Sequence, residues 1–275
     1  MLTQKERELL GKILSKQKLQ GLTPKQAEEV AQQAKVSLKA VEYFALEKGY
    51  LPRRYHCNIG TLGVCGQRKL LEKKVIISGL GGLGGYVLEQ LGRVGVGRIV
   101  GVDPDVFEET NLNRQLLAEE GNLGNKKIDE AEKRLGKINR AVEFVGSATP
   151  IDKLPQEVFG GANVVFDCLD NVADRMRLAK RCSTEDVPLV HGAVAGWYGQ
   201  VAVVCPGSGL LEKIYQHHAR SIEQDLGTPP FTATVAAGLM VAAGVQILIG
   251  DSFAKEMKML FFDLSENEWE TIAFK

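Results

Sequence analysis

Apolar and polar positions vary along most of the chain in a pattern that predicts strands separated by helices. From Lys74 onward, short apolar runs typical of buried strands are followed by longer segments of helical periodicity. The predicted strands lie at about 74–79, 97–103, 141–145, 162–167 and 188–191, and the helices between them at about 83–94, 126–138 and 171–185. Strands that alternate with helices form parallel, doubly wound sheets. The predicted fold class is therefore α/β, with a mostly parallel sheet.

The pattern changes after Val190, where the regular alternation of strand and helix ends. The segment "GQVAVVCP" predicts a strand, a loop of about 25 residues follows, and "MKMLFFDL" and "WETIAF" predict a closing antiparallel pair. Between the loop and this pair lies "FTATVAAGLMVAAGVQILIG", which has about the length of a membrane span and no charged residue. Because it is rich in small residues, contains Thr232 and Thr234, and precedes strand-like sequence, a buried core helix is favoured over a membrane span.

The first part of the chain differs in composition and predicts a separate helical module. It is rich in Lys, Glu and Gln, with helical periodicity. Thr23, which precedes a proline, is a helix-start signal, and Ser37 is positioned to cap a second helix that ends at Gly49. Two short helices around a tight turn resemble a helix-turn-helix. A docking or dimerisation module is favoured over a DNA-binding one, since the second helix is no more basic than the first. The predicted domains are residues 1–52 and 53–275.

Charge and cysteine content narrow the class of protein. The 275 residues include 34 Lys and Arg and 34 Asp and Glu, so the formal net charge is zero. This balance argues against wholesale electrostatic binding of nucleic acid or of an anionic membrane. The five cysteines are an odd number without a CxxC pair, so neither a disulfide framework nor a four-cysteine zinc site is expected. The segment "MLTQKERELLGKILSK" lacks the apolar core of a signal peptide, and the expected compartment is the cytoplasm.

A glycine-rich turn follows the first strand in "VIISGLGGLGGYVLEQLGRVGVGRIVGVDPD". Gly79, Gly81 and Gly84 match GxGxxG, in which the first glycine permits the turn, the second admits a phosphate, and the third lets helix and strand pack closely. The start of the next helix offers unpaired N–H groups to an anion. Asp103 ends the following strand, where a carboxylate accepts hydrogen bonds from ribose hydroxyls. The stretch therefore predicts a Rossmann-like nucleotide site.

The residues after Asp103 favour a triphosphate over a dinucleotide redox cofactor. The segment "DPDVFEETNLNRQLLAEEGNLGNKK" offers Asn111, Arg114, Lys126 and Lys127 on the side where the phosphates are expected. Two or more cations suit a triphosphate, with arginine as a fork and lysine as a point charge, whereas a diphosphate cofactor carries less charge. Surface charges at a solvated helix start are the alternative interpretation.

A second group of polar residues ends a buried strand in "VVFDCLDN", residues 164–171. Asp167 and Asp170 stand at the carboxyl end of this strand, where such sheets bind ligands. One of them is a candidate to hold Mg²⁺ through phosphate oxygens, because Mg²⁺ favours one or two carboxylates plus waters. For Asp170, capping of the helix after Asn171 is an alternative role that is compatible with the first.

These segments together resemble the ThiF/MoeB/HesA family, the prokaryotic relatives of ubiquitin-activating enzymes. The matching segments, in the family's order from about residue 53, are "RYHCNIG", "GLGGLGG", "VDPDVFEETNLNRQ", "GNKK", "DCLDN", "VPLVHGAVAGWYGQV" and the closing apolar helix. The resemblance implies ATP-dependent adenylation of the C-terminal carboxylate of a small ubiquitin-like sulfur carrier ending in Gly-Gly, in thiamin, molybdopterin, tungstopterin or related biosynthesis. In that reaction the carboxylate attacks the α-phosphate, pyrophosphate leaves, and an acyl adenylate forms.

The resemblance also implies roles for individual residues and a homodimeric assembly. The nucleotide would be lined by Gly79, Gly81, Gly82 and Gly84, the ribose bound by Asp103, the phosphates bound by Asn111, Arg114 and Lys127, and Mg²⁺ oriented by Asp170, with Asp105, Gln115 and Asn171 completing the ATP site. Among these, Arg114, Lys127 and Asp170 are the predicted catalytic residues. Such a reaction needs positioning and charge neutralisation more than covalent chemistry.

The chain departs from the family's pattern at two places where members carry further functional residues. The family often has R-Y-x-R, whose later arginine reaches ATP across a homodimer interface; here Cys57 stands at that position, and Arg53 or Arg54 is left as a candidate substitute. Many members bind zinc through two CxxC pairs, which this chain lacks, so no zinc is predicted. The adjacent histidines His217 and His218 are expected at the surface.

A third departure concerns a covalent intermediate. Some members form a thioester or persulfide with a cysteine of the loop before the apolar helix. No cysteine follows Cys205, which ends a strand and is expected to be buried, while Cys168 and Cys182 are interpreted as packing residues. Adenylation without a covalent step is therefore favoured, with Cys205 as the remaining candidate.

Three other functions remain as alternatives to carrier adenylation. The first is activation of a tRNA-linked carboxylate, as in cyclic threonylcarbamoyladenosine formation, which calls for a basic surface that a neutral chain supports only weakly. The second is an NAD-dependent oxidoreductase, against which the clustered cations count. The third is a regulator that has kept the nucleotide fold and lost catalysis, for which Cys57 and the N-terminal helices are the arguments.

Overall fold

The N-terminal helices form a small bundle with its own hydrophobic centre. The computed structural model describes residues 2–16, 21–215, 223–250 and 258–274. The bundle comprises α1 (Gln4–Lys16), α2 (Pro24–Ala34) and α3 (Leu38–Glu47). Its centre consists of apolar residues from all three helices, among them Leu10, Val30 and Phe44. The sequence predicted two of these helices, and α1 is the third.

Both predicted helix starts in this module are capped as expected. The Oγ1 of Thr23 accepts a hydrogen bond from the N–H of Gln26, and the Gln26 side chain accepts one from the N–H of Thr23 in return. Ser37 accepts from the N–H of Ala40 at the start of α3. Every residue of α3 is buried or half-buried. This helix therefore packs against its neighbours over much of its surface, and a docking or dimerisation role for the module stays a prediction.

The rest of the chain builds one eight-stranded sheet covered by helices. The strands are β1 (Lys74–Ser78), β2 (Arg98–Val102), β3 (Glu143–Ser147), β4 (Val164–Asp167), β5 (Leu189–Ala195), β6 (Tyr198–Val204), β7 (Lys258–Asp263) and β8 (Glu268–Ala273). The helices are α4 (Ile59–Glu72), α5 (Gly84–Val94), α6 (Lys127–Ile138), α7 (Gln156–Phe159), α8 (Val172–Thr184), α9 (Leu210–Tyr215), α10 (Glu223–Leu226) and α11 (Pro230–Ile249). The strand order is β3-β2-β1-β4-β5-β6-β7-β8, so the mixed α/β fold predicted from the sequence is confirmed.

The order of the strands determines where a ligand can bind. β1 to β5 run parallel, and β6, β7 and β8 extend the sheet antiparallel. The chain moves outward from β1 through β2 to β3 and then returns to place β4 on the other side of β1. Helices after β1 and β4 therefore pack on opposite faces, and a crevice opens between them at the carboxyl ends of the strands.

Successive side chains of β1 point to opposite faces of the sheet, and each face has its own hydrophobic cluster. Ile77 packs with α5, α6 and α11 in one hydrophobic cluster, whereas Ile76 packs with α8 and α9 in the other. By length and composition α11 could cross a membrane. In the structure, nine of its residues are buried, and it packs against α5 and against strands β4 to β6. It is the core helix that the sequence favoured.

Several elements and boundaries differ from those predicted. α4 was not predicted, the loop of about 25 residues contains α9 and α10, β3 runs over 143–147 rather than 141–145, and β5 continues to Ala195 rather than ending near 191. In β5, Gly192 looks like a turn residue in the sequence, but a Cβ there would lie 2.2 Å from the Met240 sulfur. This glycine therefore permits α11 to approach the strand closely. His217 and His218 lie outside the described residues.

Candidate functional site

A crevice of about 450 Å³ opens at the carboxyl end of the parallel strands. The glycine turn after β1, the loop after β2 and the segment between β4 and α8 line it, together with Pro150, Ile151, Val194 and Thr228. Of the predicted nucleotide-site residues, the crevice brings together Gly79, Gly81, Gly82, Asp103, Asp105, Arg114, Gln115, Lys127, Asp170 and Asn171. Gly84 and Asn111 lie outside this lining.

The glycine turn is held tightly against β4, which explains its glycines. Gly79 has a φ of 89°, and a Cβ there would lie 2.6 Å from the carbonyl oxygen of Cys168. At Gly84 a Cβ would lie 1.8 Å from the carbonyl oxygen of Gly79. Gly84 therefore lets α5 start directly against the turn, as the third glycine of the motif does in close helix–strand packing. Its contact is with the turn and not with the crevice.

Asp103 holds the glycine turn in place from the neighbouring strand. Its Oδ2 accepts a hydrogen bond from the N–H of Leu80 at 2.7 Å, and its Oδ1 accepts one from the N–H of Asp105 at 2.9 Å. Burial raises the pKa of this carboxyl, although Lys127 and the two backbone donors partly offset the effect. Because a carboxylate oxygen can accept more than one hydrogen bond, ribose hydroxyls can still be received here.

Lys127 lies at the first residue of α6 and is only 7% exposed. Its Nζ is 3.1 Å from Oδ2 of Asp105 and 4.0 Å from Oδ2 of Asp103. The N–H of Lys127 also donates to the carbonyl oxygen of Asp105 at 3.0 Å. The ammonium group is therefore fixed between two carboxylates at the edge of the crevice. It can bind an anionic ligand there while it keeps both carboxylate partners.

Arg114 and Gln115 lie beside the second and third glycines of the turn. A Cβ on Gly82 would contact the Arg114 side chain at 3.6 Å, and one on Gly81 would contact the Gln115 amide at 3.4 Å. Arg114 donates to the carbonyl oxygen of Thr110 at 2.9 Å, and this anchors the guanidinium at one end. A phosphate placed on the glycine turn would therefore meet an arginine and an amide.

Asn111 has a structural contact in the same loop. Its Oδ1 accepts a hydrogen bond from the N–H of Glu108 at 3.1 Å, and it closes a short 3₁₀ turn that precedes Arg114. The N–H of Gln115 donates to the carbonyl oxygen of Asn111 at 2.9 Å. Asn111 thus sets the position of the two residues that follow it, and it remains a predicted phosphate ligand.

Two buried polar atoms at the crevice have no hydrogen-bond partner among the described residues. They are Oε1 of Gln115 and Oγ of Ser78, and both residues line the crevice. A buried polar atom without a partner costs about 1–3 kcal/mol. Ligand atoms that pair with these two groups would recover this cost, so the crevice fits a polar ligand.

Asp170 and Asn171 have different environments at the start of α8. Asn171 caps the helix, since its Oδ1 accepts from the N–H of Asp174 at 2.8 Å. The capping alternative for Asp170 is therefore wrong, and its exposed carboxylate lines the crevice. No group of three or more His, Cys, Asp or Glu side chains suited to a metal ion occurs in the described part of the chain. A single carboxylate fits Mg²⁺ that is held mainly by phosphates and water.

Asp167 does not face the crevice, contrary to the hypothesis that either acid of the motif could do so. It is fully buried, its Oδ2 lies 2.7 Å from Nδ1 of His191 and 3.5 Å from Nη1 of Arg175, and its Oδ1 accepts from the N–H of Leu169. Burial by itself would raise the pKa of Asp167, but Arg175 and His191 lower it below its ordinary value. Asp167 is part of the core behind the site.

Arg54 is engaged at the seam between the N-terminal module and the sheet. Its Nε lies 3.2 Å from Oε1 of Glu42 and its Nη1 donates to Asn139, while Tyr55 donates to Glu42 and accepts from Asn139 at 3.0 Å each. Only 16% of the Arg54 side chain is exposed. Arg54 is therefore not available to reach a second site as a substitute for the arginine that Cys57 replaces. Arg53 and Cys57 are exposed.

The cysteines divide by burial. Cys168 and Cys182 are buried, and burial raises the pKa of the Cys182 thiol to about 12, so both act as packing residues as predicted. Cys205 directly follows β6 and is half-buried rather than buried. None of the five cysteines forms a disulfide bond within the described residues.

Several residues that line the crevice were not identified by sequence reasoning, among them Ser78, Ile151, Asp174, Arg177 and Thr228. Ser78 precedes the glycine motif directly, which was a usable signal. Asp174 and Arg177 are three residues apart in α8, so they share one side of this helix, which starts just after Asp170. Ile151 and Thr228 come from distant loops, and no local pattern points to them.

Comparisons with known proteins identify the family and the fold of the chain. The model of the ThiF family matches residues 55–275. The SAMP-activating enzyme E1 of Haloferax volcanii is 30% identical over 230 residues, 80% of this chain and 83% of that protein. The molybdopterin-synthase adenylyltransferase of Haemophilus influenzae is 30% identical over 203 residues, 71% of this chain and 83% of that protein. Escherichia coli MccB with ATP has the same fold, with a TM-score of 0.67 at 20% identity over 90% of this chain and 82% of that one.

Proposed function

Because the chain belongs to the ThiF family, we propose that it is an ATP-dependent adenylyltransferase that activates the C-terminal glycine carboxylate of a small ubiquitin-like sulfur-carrier protein. The observation that carries this proposal is the position of Arg114 beside Gly82, with Lys127 fixed next to Asp103 in the same crevice. A glycine turn with two cations suits a triphosphate, and Asp103 suits its ribose. The names of both relatives support an activated carrier.

The proposed reaction joins a carboxylate to the α-phosphate of ATP. A carboxylate oxygen of the carrier attacks the α-phosphorus, the bond from that phosphorus to the bridging oxygen breaks, and pyrophosphate leaves with its electron pair. The carboxylate is already ionised at neutral pH, so no side chain has to remove a proton. Arg114 and Lys127 would stabilise the charge on the phosphates as it shifts to pyrophosphate.

Asp170 would hold Mg²⁺ in this reaction. When bound, the ion neutralises phosphate charge and orients the triphosphate. Asp170 offers an exposed carboxylate at the crevice. The next residue, Asn171, caps α8 and so fixes the backbone beside Asp170. Because the described residues contain no cluster of three or more side chains suited to a metal, the site fits an ion that arrives with the nucleotide.

A homodimer in the cytoplasm is part of the proposal. Val64, next to the kink of α4 at Gly63, is 43% exposed, and several apolar residues of α11 are only half-buried. An apolar surface of this kind suits a second copy of the chain. Cysteines that form no disulfide among the described residues fit a reducing compartment.

ATP–pyrophosphate exchange with candidate Gly-Gly carriers tests the proposed function. Exchange is expected with one carrier and is expected to fall at least about a hundredfold in Arg114→Ala, since two or more kcal/mol of transition-state stabilisation would be lost. Arg93→Ala is the matched control, because Arg93 is an exposed arginine paired with Glu89 on α5. A wild-type protein that binds ATP but exchanges with no carrier would favour a tRNA substrate or a regulator.

A further inference from the structure

The crevice has two chemically different ends. One is the glycine turn with Arg114 and Gln115, where phosphates are expected. The other end lies past Asp103 as seen from the glycine turn. There the apolar side chain of Ile151 and the first two turns of α8 face the cavity. α8 packs against the 3₁₀ turn Ile151–Lys153, so its residues stand opposite Ile151.

A series of hydrogen bonds positions one cation at this second end. Asn171 Nδ2 donates to Oδ2 of Asp174 at 2.8 Å, and Oδ1 of Asp174 lies 2.5 Å from Nη1 of Arg177. Arg177 makes this one hydrogen bond among the described residues, and 59% of its side chain is exposed. The other edge and both faces of its guanidinium plane are therefore available to a ligand.

An unpaired hydroxyl lies on the same side of the sheet. Ser78 is fully buried and its Oγ has no partner in the described part of the chain. Side chains alternate along β1, so Ser78 shares the face of Ile76, which packs with α8. A polar atom that needs a partner thus lies on the side of the crevice where Arg177 stands.

We propose that Asp174 and Arg177 form the base-binding end of the crevice, with the guanidinium of Arg177 stacked on the purine ring of the nucleotide. Arginine stacks on aromatic faces through its flat, delocalised and weakly hydrated cation. Ile151 covers the ring from the opposite side, and the hydroxyl of Ser78 pairs with a polar atom at the ribose or base. The inference rests on the proposed function, because it takes ATP as the ligand.

Equilibrium titration of three probes separates the two ends of the crevice. Arg177→Ala is expected to weaken ATP and adenosine by the same factor, about five- to tenfold, and to leave tripolyphosphate unchanged. Asp174→Asn is expected to act in the same direction and more weakly, because Arg177 loses its anchor. Arg177→Lys is expected to bind ATP and adenosine little better than Arg177→Ala does, since an ammonium group has no flat face.

Lys180→Ala is the matched control on α8, because Lys180 is exposed and lines a different cavity. If Arg177→Ala lost tripolyphosphate binding and kept adenosine binding, Arg177 would contact the phosphates and the inference would be overturned. Unchanged ATP and adenosine binding in Arg177→Ala would overturn it as well. A wild-type protein that does not bind ATP would instead refute the proposed function itself.

Discussion

The N–H of Leu80 donates to the carboxylate of Asp103 at 2.7 Å, so the end of β2 holds the glycine turn that follows β1. The second carboxylate oxygen receives the N–H of Asp105, which starts the loop leading to Arg114. One buried side chain therefore fixes both walls of the phosphate end. This gives Asp103 a structural role in addition to the ribose contact predicted from the sequence.

Asp103→Ala should lose nucleotide binding and stability together. Two backbone donors would lose their acceptor, at a cost of about 1–3 kcal/mol for each buried N–H left unpaired. Asp105→Ala is the comparison, because the Asp105 side chain is 65% exposed and pairs only with Lys127 among the groups described. We expect Asp105→Ala to lower the free energy of unfolding less than Asp103→Ala does, because it leaves both N–H groups paired and Lys127 beside Asp103. Chemical denaturation and ATP titration measure both effects, and a fully stable Asp103→Ala would contradict this role.

Gly84→Ala should destabilise the folded protein for a steric reason. Its Cβ would lie 1.8 Å from the carbonyl oxygen of Gly79, so α5 would have to move away from the turn. We expect a loss of about 3 kcal/mol or more in the free energy of unfolding. Gly136→Ala is the matched substitution in α6, where a Cβ meets nothing within 4 Å, and it should stabilise by about 0.5–1 kcal/mol. Thermal unfolding of the two variants should therefore move in opposite directions.

The sequence was most informative where one residue type is required by geometry. The glycine turn, the strand ends after it and the caps at Thr23 and Ser37 all follow from local rules, and the structure has them where predicted. It was least informative where glycines occur inside a helix. α4 contains Gly60, Gly63 and Gly66, and Gly63 has a φ of 65°, so a helix with a kink looked like irregular sequence.

Motifs could assign residues to the crevice but could not separate neighbours of the same type. Asp167 and Asp170 both follow an apolar strand, and only the tertiary contacts with Arg175 and His191 decide which one is buried. Arg177 was missed because its place in the site depends on the packing of α8 against the turn at Ile151. Such long-range contacts have no local signal in the sequence.

The difference between these two aspartates gives a direct prediction. Asp167→Asn removes a buried carboxylate charge that pairs with both Arg175 and His191, and we expect a loss of about 3–5 kcal/mol in the free energy of unfolding. Asp170→Asn is expected to leave stability within about 0.5 kcal/mol and to reduce the exchange reaction. Urea denaturation of both variants tests this. Equal stabilities would show that Arg175 does not depend on Asp167.

Glu42 should make the stability of the protein depend on pH in a direction unusual for an acid. Burial raises the pKa of Glu42 above its ordinary value of 4.5, and Arg54 and the hydroxyl of Tyr55 offset this only in part. The folded state therefore holds the proton more tightly than the unfolded state does. The resulting stabilisation is complete below pH 4.5 and is lost as the pH rises through the folded-state pKa.

Comparison of wild type with Glu42→Gln isolates this effect from the other carboxylates. The free energy of unfolding of wild type minus that of Glu42→Gln should be largest near pH 4 and should fall toward pH 7. Glu47→Gln in the same helix is the control, since Arg7 lowers the pKa of Glu47 and the corresponding difference should rise with pH. Urea unfolding across this range measures both slopes. A difference for Glu42 that is flat, or that rises with pH, would show that Arg54 outweighs burial at this seam.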